Sequence, residues 1–203
     1  GRYQISDDPT PRKAIGLRLA MADSAPNVVY LARPCQYIPM SRNPVCQSDY
    51  WTGKRFAPEV VASMNQAVEY YLTRTPGQQI VLAGYSGGAA VAVLIAARRH
   101  DVAQLRTVAG NLDHRAVNRL HNVTPMPESL NPRDEAARIA TIPQRHYSGS
   151  DDSVVPPFIA RDFAAAVGKC ASWQQVSGLG HEGDWAARWP QLLLQDVRCQ
   201  PGK

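Results

Sequence analysis

The sequence predicts an α/β fold: a mostly parallel sheet with helices on both faces. Three observations carry this reading. Short apolar runs alternate with longer stretches of helical periodicity, the pattern of strand–helix–strand units. The clearest of them, NVVYLA and QIVLA, are apolar nearly throughout rather than at every second position, as strands buried on both faces are. One of them, QIVLA at 79–83, passes through a glycine-rich turn into Ala89–Arg99, which is apolar almost all round. A helix of that kind has to be buried against a sheet.

The elements follow in order. The opening GRYQISDDPTPR is polar and turn-rich and reads as a loop. Lys13–Asp23 carries apolar residues at 15, 17, 19, 20 and 21 and reads as a short helix. Asn27–Ala32 (NVVYLA) is a short apolar run with β-branched content and reads as a buried strand. Residues 33–56 hold three prolines, Cys35, Cys46, Tyr37, Tyr50 and Trp51, without periodicity. Irregular segments of that length are usually functional or specially braced. Pro58 stands where a helix begins. Val60, Val61, Met64, Val68, Tyr71 and Leu72 continue it at helical spacing, and Pro76-Gly77 ends it.

After the strand at 79–83 and the apolar helix come a third strand, Leu105–Ala109, and a polar, proline-marked excursion over 110–143. Gln144–Ser148 is a fourth strand and Pro157–Val167 a helix. Ser172–Ser177 is a fifth strand, and Asp184–Val197 a final helix interrupted near Pro190. The expectation is a sheet of five strands in one domain over residues 1–203, with a cap at about 112–143 between the third and fourth strands.

A chain of 203 residues buries a sizeable core as one domain. Its 44% hydrophobic and 19% charged residues are ordinary for a globular protein. The net charge of +5 comes mostly from arginines scattered along the chain, with no basic run. That reads as a solvated surface with a mild attraction for anions, not a nucleic-acid footprint. No apolar stretch reaches transmembrane length. No signal peptide is visible, so an exported protein would have lost it or carry it outside this sequence.

The four cysteines, 35, 46, 170 and 199, form no C-x-x-C pair and no zinc-finger spacing. Of the three pairings, Cys35–Cys46 with Cys170–Cys199 suits the chain order. It closes a short loop and ties the segment before the last strand to the C-terminal helix. Two such bonds imply an oxidising compartment, periplasmic or secreted. Four unpaired thiols would instead imply the cytosol.

Gly84-Tyr85-Ser86-Gly87-Gly88 fits G-x-S-x-G between a strand and a helix. That context distinguishes a nucleophile elbow from a chance pentapeptide. The turn is so sharp that glycines two before and two after the serine relieve crowding. It lifts the hydroxyl clear of the sheet and points the Gly87 N–H at a developing oxyanion. Phosphate-binding glycine motifs are absent.

An acid and a histidine must follow in the order Ser, Asp, His. Asp152, in G-S-D-D-S-V-V-P after the fourth strand, has the better spacing; Asp151 is the alternative. Asp113, after the third strand, is a third candidate, better suited to a turn or a bracing hydrogen bond. His181, in G-L-G-H-E-G after the last strand, is the base. His100 reads as a helix C-terminal cap, His146 lies in a strand, His121 in the excursion, and His114 precedes the acid. His181 would take the proton of Ser86 and pass it to the leaving group, with Asp152 holding its tautomer.

On these three motifs, in order from Asn27 to Val197, the chain resembles the α/β-hydrolase superfamily. LARPCQY, WTGKRF, AGNLDHRA and SLNP resemble a bacterial subgroup of esterase-like hydrolases. The resemblance implies hydrolysis of a small-molecule carboxylic ester through an acyl-serine, with no metal or organic cofactor. Thioester, peptide or acyl-transfer chemistry with the same triad is the alternative, as is a non-catalytic binding protein on this fold. The superfamily also places strands and an oxyanion loop before the first helix. Only a dozen residues precede Lys13 here, so the resemblance implies N-terminal strands upstream of Gly1.

Overall fold

The computed structural model describes residues 5–200. Four strands form one sheet: β1 (Ile80–Tyr85), β2 (Val102–Val108), β3 (Gln144–Gly149) and β4 (Ala171–Val176). They stand in chain order, β1-β2-β3-β4, and every neighbouring pair is parallel. All four C-terminal ends therefore point to one edge.

Helices cover both faces. On one lie α1 (Ile15–Met21) and α6 (Trp185–Leu193), packed on Val108, Ala109, Tyr147 and Leu179. On the other lie α3 (Gly87–Ala96) and α5 (Pro157–Val167), packed on Val102 and Leu105. α2 (Pro58–Leu72) packs outside α3 through Val61 and Met64. Because strand side chains alternate, β3 sends Tyr147 to the α6 face and His146 to Phe163 of α5. α3 is GGAAVAVLIA, buried at every residue from Ala89 to Ala96, as its all-round apolarity requires.

Two expectations need correction. Among the described residues the sheet has four strands, not five, because Asn27–Ala32 pairs with nothing described. β-branched content favours a strand only where a neighbour completes the ladder. Here Val28 and Val29 are 39% and 49% exposed, and Leu31 alone reaches the core around Phe56. β1 is thus paired on one side among the described residues, and its Val81 is 54% exposed. The last helix stops at Leu193, short of the expected Val197.

The 110–143 excursion is less irregular than its composition suggests. It contains α4 (His114–Leu120) and a 3₁₀ segment, Pro132–Ile139. Leu112, Val117, Ala136 and Ile139 enter the core on the α3–α5 face. Only its tip, residues 119–125, is exposed throughout.

Both cysteine pairs, Cys35–Cys46 and Cys170–Cys199, are disulfide-bonded. The second ties the start of β4 to the segment after α6, rather than to the helix itself. Among the described residues, no helix is long and apolar enough to cross a membrane.

Candidate active site

β1 runs two residues further than the apolar pattern alone indicates, to Tyr85, and Ser86 follows at once. Ser86 has φ 50° and ψ −118°, a conformation that costs a non-glycine residue of order 1–3 kcal/mol. The surroundings impose it. The Ser86 N–H donates to the Val108 carbonyl at 3.0 Å, and its own carbonyl accepts from Ala89 and Asn111 N–H, each at 3.1 Å.

Gly84 makes room for the turn: a Cβ there would stand 2.5 Å from Ala89 Cα and 2.5 Å from the Gly88 carbonyl oxygen. Gly88 does not, since a Cβ there meets nothing within 4 Å. The expectation that both outer glycines relieve crowding holds for the first alone. Gly87 opens α3, so its N–H has no acceptor within the helix, and the Phe56 ring lies beside it.

His181 comes from beyond β4, three strands away from β1. That is roughly 14 Å at ordinary strand spacing. The 177–184 loop crosses this gap over the ends of β2 and β3. Gly178, at φ 72°, turns the chain. The loop is sewn to the one after β3: Asp151 N–H donates to the Leu179 carbonyl at 3.0 Å, and Gly178 N–H to Ser150 Oγ at 2.8 Å. Gly149 is required here, because any Cβ would strike the Leu179 carbonyl.

The crossing brings His181 Nε2 to 3.0 Å from Ser86 Oγ and Nδ1 to 2.8 Å from Asp152 Oδ2. Asp152 is 3% exposed. Its other oxygen accepts from the Val154 and Val155 N–H groups at 2.9 and 2.8 Å. A carboxylate so placed only accepts, which assigns the ring proton to Nδ1 and leaves the Nε2 lone pair facing the serine hydroxyl. Chemically, such a line can remove a proton from Ser86 and return it to a departing group.

The other candidates lie apart from this line. Asp151 is exposed and accepts from Ser150 Oγ at 2.7 Å. Asp113 caps α4, its Oδ1 accepting from Ala116 N–H and Asn131 Nδ2, both at 3.1 Å. His100 is exposed and lies past the end of α3, so it caps nothing. His121 Nε2 meets the Val154 carbonyl at 2.8 Å. His146 is fully buried between Thr107 Oγ1 (2.8 Å) and Gln144 Oε1 (3.2 Å), and burial pushes its pKa down to about 3. His114 is 2% exposed beside Phe56, and burial holds its pKa below the usual imidazole range.

Sequence reasoning missed several supporting residues. Ser129, in SLNP, accepts from the Phe56 N–H at 3.1 Å and donates to the Gly53 carbonyl at 2.7 Å, joining the excursion to the 33–56 loop beside Gly87. Asn131 accepts from the His114 N–H and donates to Asp113. Tyr85 and Trp185 both donate to the His181 carbonyl, at 3.1 and 3.0 Å. The closeness of Tyr85 to Ser86 and of Trp185 to His181 in the chain offered a signal, whereas the contacts made by Tyr85, Ser129 and Asn131 span distant residues.

No protein-family model matches the chain, and no curated protein matches it in sequence. Solved structures do share its architecture. An α/β hydrolase enzyme from the metagenome of sediments from the lagoon of Mar Chica, Morocco, superposes with a TM-score of 0.53 at 17% identity, covering 66% of this chain and 67% of its own. A monoacylglycerol lipase from Paleococcus ferrophilus gives 0.50 at 15%, covering 66% and 73%. An α/β serine hydrolase homologue from Coxiella burnetii gives 0.52 at 18%, covering 90% and 74%. The chain has the α/β-hydrolase fold.

Proposed function

We propose that this protein is a serine hydrolase that cleaves a small-molecule carboxylic ester through an acyl-enzyme at Ser86. The observation that carries the reading is the unbroken line Ser86 Oγ, His181, Asp152, with contacts of 3.0 and 2.8 Å. It stands at the C-terminal edge of a parallel sheet, where folds of this class bind ligands. The hydrolases and esterases among its structural neighbours agree with it.

In this reading Ser86 Oγ attacks the ester carbonyl carbon as its proton passes to His181 Nε2. The oxyanion formed faces the Gly87 N–H at the start of α3, where helix polarity favours negative charge. Collapse of the tetrahedral intermediate breaks the bond to the alcohol, which leaves with the proton from His181. Water then repeats the sequence on the acyl-serine: it loses a proton to His181, releases the carboxylic acid and restores the serine hydroxyl. Asp152 stabilises the imidazolium in both halves.

The 33–56 loop and the 112–143 cap would border the bound ester from either side of Phe56. The two disulfides support a periplasmic or secreted location. A fluorophosphonate probe tests the whole reading. Ser86 of the intact protein should be labelled and Ser86→Ala should not; an unlabelled, folded wild type would overturn it.

A further inference from the structure

His181 stands on a loop rather than on a strand or helix, and a loop is the least rigid support for a group that must hold a position to a few tenths of an ångström. Its imidazole is tied through Nδ1 to Asp152. Its main chain is held separately. The Tyr85 phenol donates to the His181 carbonyl at 3.1 Å, and the Trp185 indole N–H donates to the same oxygen at 3.0 Å while also meeting the Gly180 carbonyl at 3.2 Å. One carbonyl has two lone pairs, so the two donors saturate it. The Tyr85 ring also lies against the imidazole, with centroids 5.3 Å apart and planes at 39°.

The two donors have different supports. Trp185 is fully buried at the start of α6, four residues from His181, so it fixes the loop to its own helix. Tyr85 is the residue immediately before Ser86, at the end of β1. It is therefore the direct strut between the peptide that carries the hydroxyl and the peptide that carries the imidazole, across 96 residues of sequence. Burial, with the charges of Glu182 and Asp152, raises the phenol pKa. The hydroxyl stays protonated, and so a donor, throughout the range in which a histidine base works.

We propose that Tyr85 is a positioning residue: its hydroxyl, together with Trp185, locks the main chain of His181 so that Nε2 stays within reach of Ser86 Oγ. The inference rests on the serine-hydrolase reading for its effect on rate, but the lock itself is a property of the structure.

Three full-length variants test it. Tyr85→Phe removes one oxygen and keeps the ring, Tyr85→Leu removes both, and Trp185→Phe removes the second donor. For a small activated ester, Tyr85→Phe should lower kcat roughly fivefold to tenfold, the worth of one ordinary hydrogen bond, with KM unchanged. Fluorophosphonate labelling should slow by the same factor. Tyr85→Leu should lose more, and its difference from Tyr85→Phe should measure the part due to the ring.

A merely structural role would leave kcat intact in any variant that stays folded. The independent readout is NMR of the isotope-labelled His181 imidazole, in which the ring resonances should broaden or split in Tyr85→Phe as the ring samples other positions. Unchanged kcat, labelling rate and imidazole spectrum in Tyr85→Phe would overturn the proposal. If instead the wild type itself is not labelled, the hydrolase reading fails, while the imidazole spectrum still decides whether Tyr85 holds His181.

Discussion

Ser86 and Ala109 follow a register pair, Tyr85 and Val108, on adjacent parallel strands, and both take positive φ, 50° and 47°. The strands thus break out of the sheet side by side with the same handed turn. Ala109 donates to the Tyr147 carbonyl at 2.8 Å, and two residues on Asn111 donates to the Ser86 carbonyl at 3.1 Å. The second turn buttresses the first.

Ala109 is fully buried and has a small side chain in a conformation that β-branched residues avoid. Ala109→Val should cost about 2–3 kcal/mol, combining backbone strain with overpacking. It should also lower ester turnover, because the buttress shifts. Urea denaturation alongside an esterase assay measures both. A stability within about 0.5 kcal/mol of wild type, the range of a neutral substitution, would remove the strain argument.

The two outer glycines of the elbow should behave oppositely. Gly84→Ala places a Cβ against main-chain atoms of Gly88 and Ala89, which cannot yield cheaply. It should destabilise by about 3 kcal/mol or more and abolish labelling. Gly88→Ala enters open space in the first turn of α3 and should be neutral or stabilising by up to about 1 kcal/mol. Thermal denaturation of the two variants distinguishes them directly.

Between the adjacent aspartates the difference should be large. Asp152→Asn should reduce acyl-enzyme formation by about 10³- to 10⁴-fold, since the amide can present a donor to Nδ1 and turn the imidazole to the wrong tautomer. Asp151→Asn, which alters an exposed contact to Ser150, should stay within about twofold of wild type. Stopped-flow rates with a chromogenic ester provide the comparison.

Stability should fall with acid on account of His146. Its pKa in the fold is depressed to about 3 by burial, whereas an unfolded histidine titrates near 6.5. Below the unfolded value the open chain binds a proton that the folded chain refuses. The histidine's contribution is complete above pH 6.5 and is lost as pH falls toward 3, by at most about 1.4 kcal/mol per pH unit. His146→Gln should flatten that part of the profile. Denaturant titrations at several pH values check the slope.

Most of what places the candidate site was legible in the sequence. Ser86 sits just beyond the apolar run QIVLA, which announces itself locally, whereas Asp152 and His181 are marked by the loop motifs G-S-D-D-S-V-V-P and G-L-G-H-E-G, after strands that carry little apolar signal. Asn27–Ala32 reads equally well as a strand but forms none, because a ladder depends on a neighbour and the pattern carries no record of one. Gly88 shows a similar limit, since a Cβ there meets nothing within 4 Å. A glycine-rich turn shows which residues are permissive, not which contact demands it. Tyr85, Ser129 and Asn131 could not be read as supports, since each reaches a main-chain or side-chain group that only the folded topology brings near, while Trp185 reaches a carbonyl four residues back through a turn that the pattern does not spell out.

The strand order gives the chain a sense of time. Each strand of β1-β2-β3-β4 pairs with the one made just before it, so a nascent sheet can grow in the direction of synthesis. Ser86 emerges with β1 and His181, 95 residues later, after β4. Through that interval the serine hydroxyl has no base beside it. On the serine-hydrolase reading, reactivity would arrive only when the 177–184 loop has crossed the ends of the strands, so a half-made or half-folded chain should be chemically silent and the onset of labelling should mark the moment the fold closes.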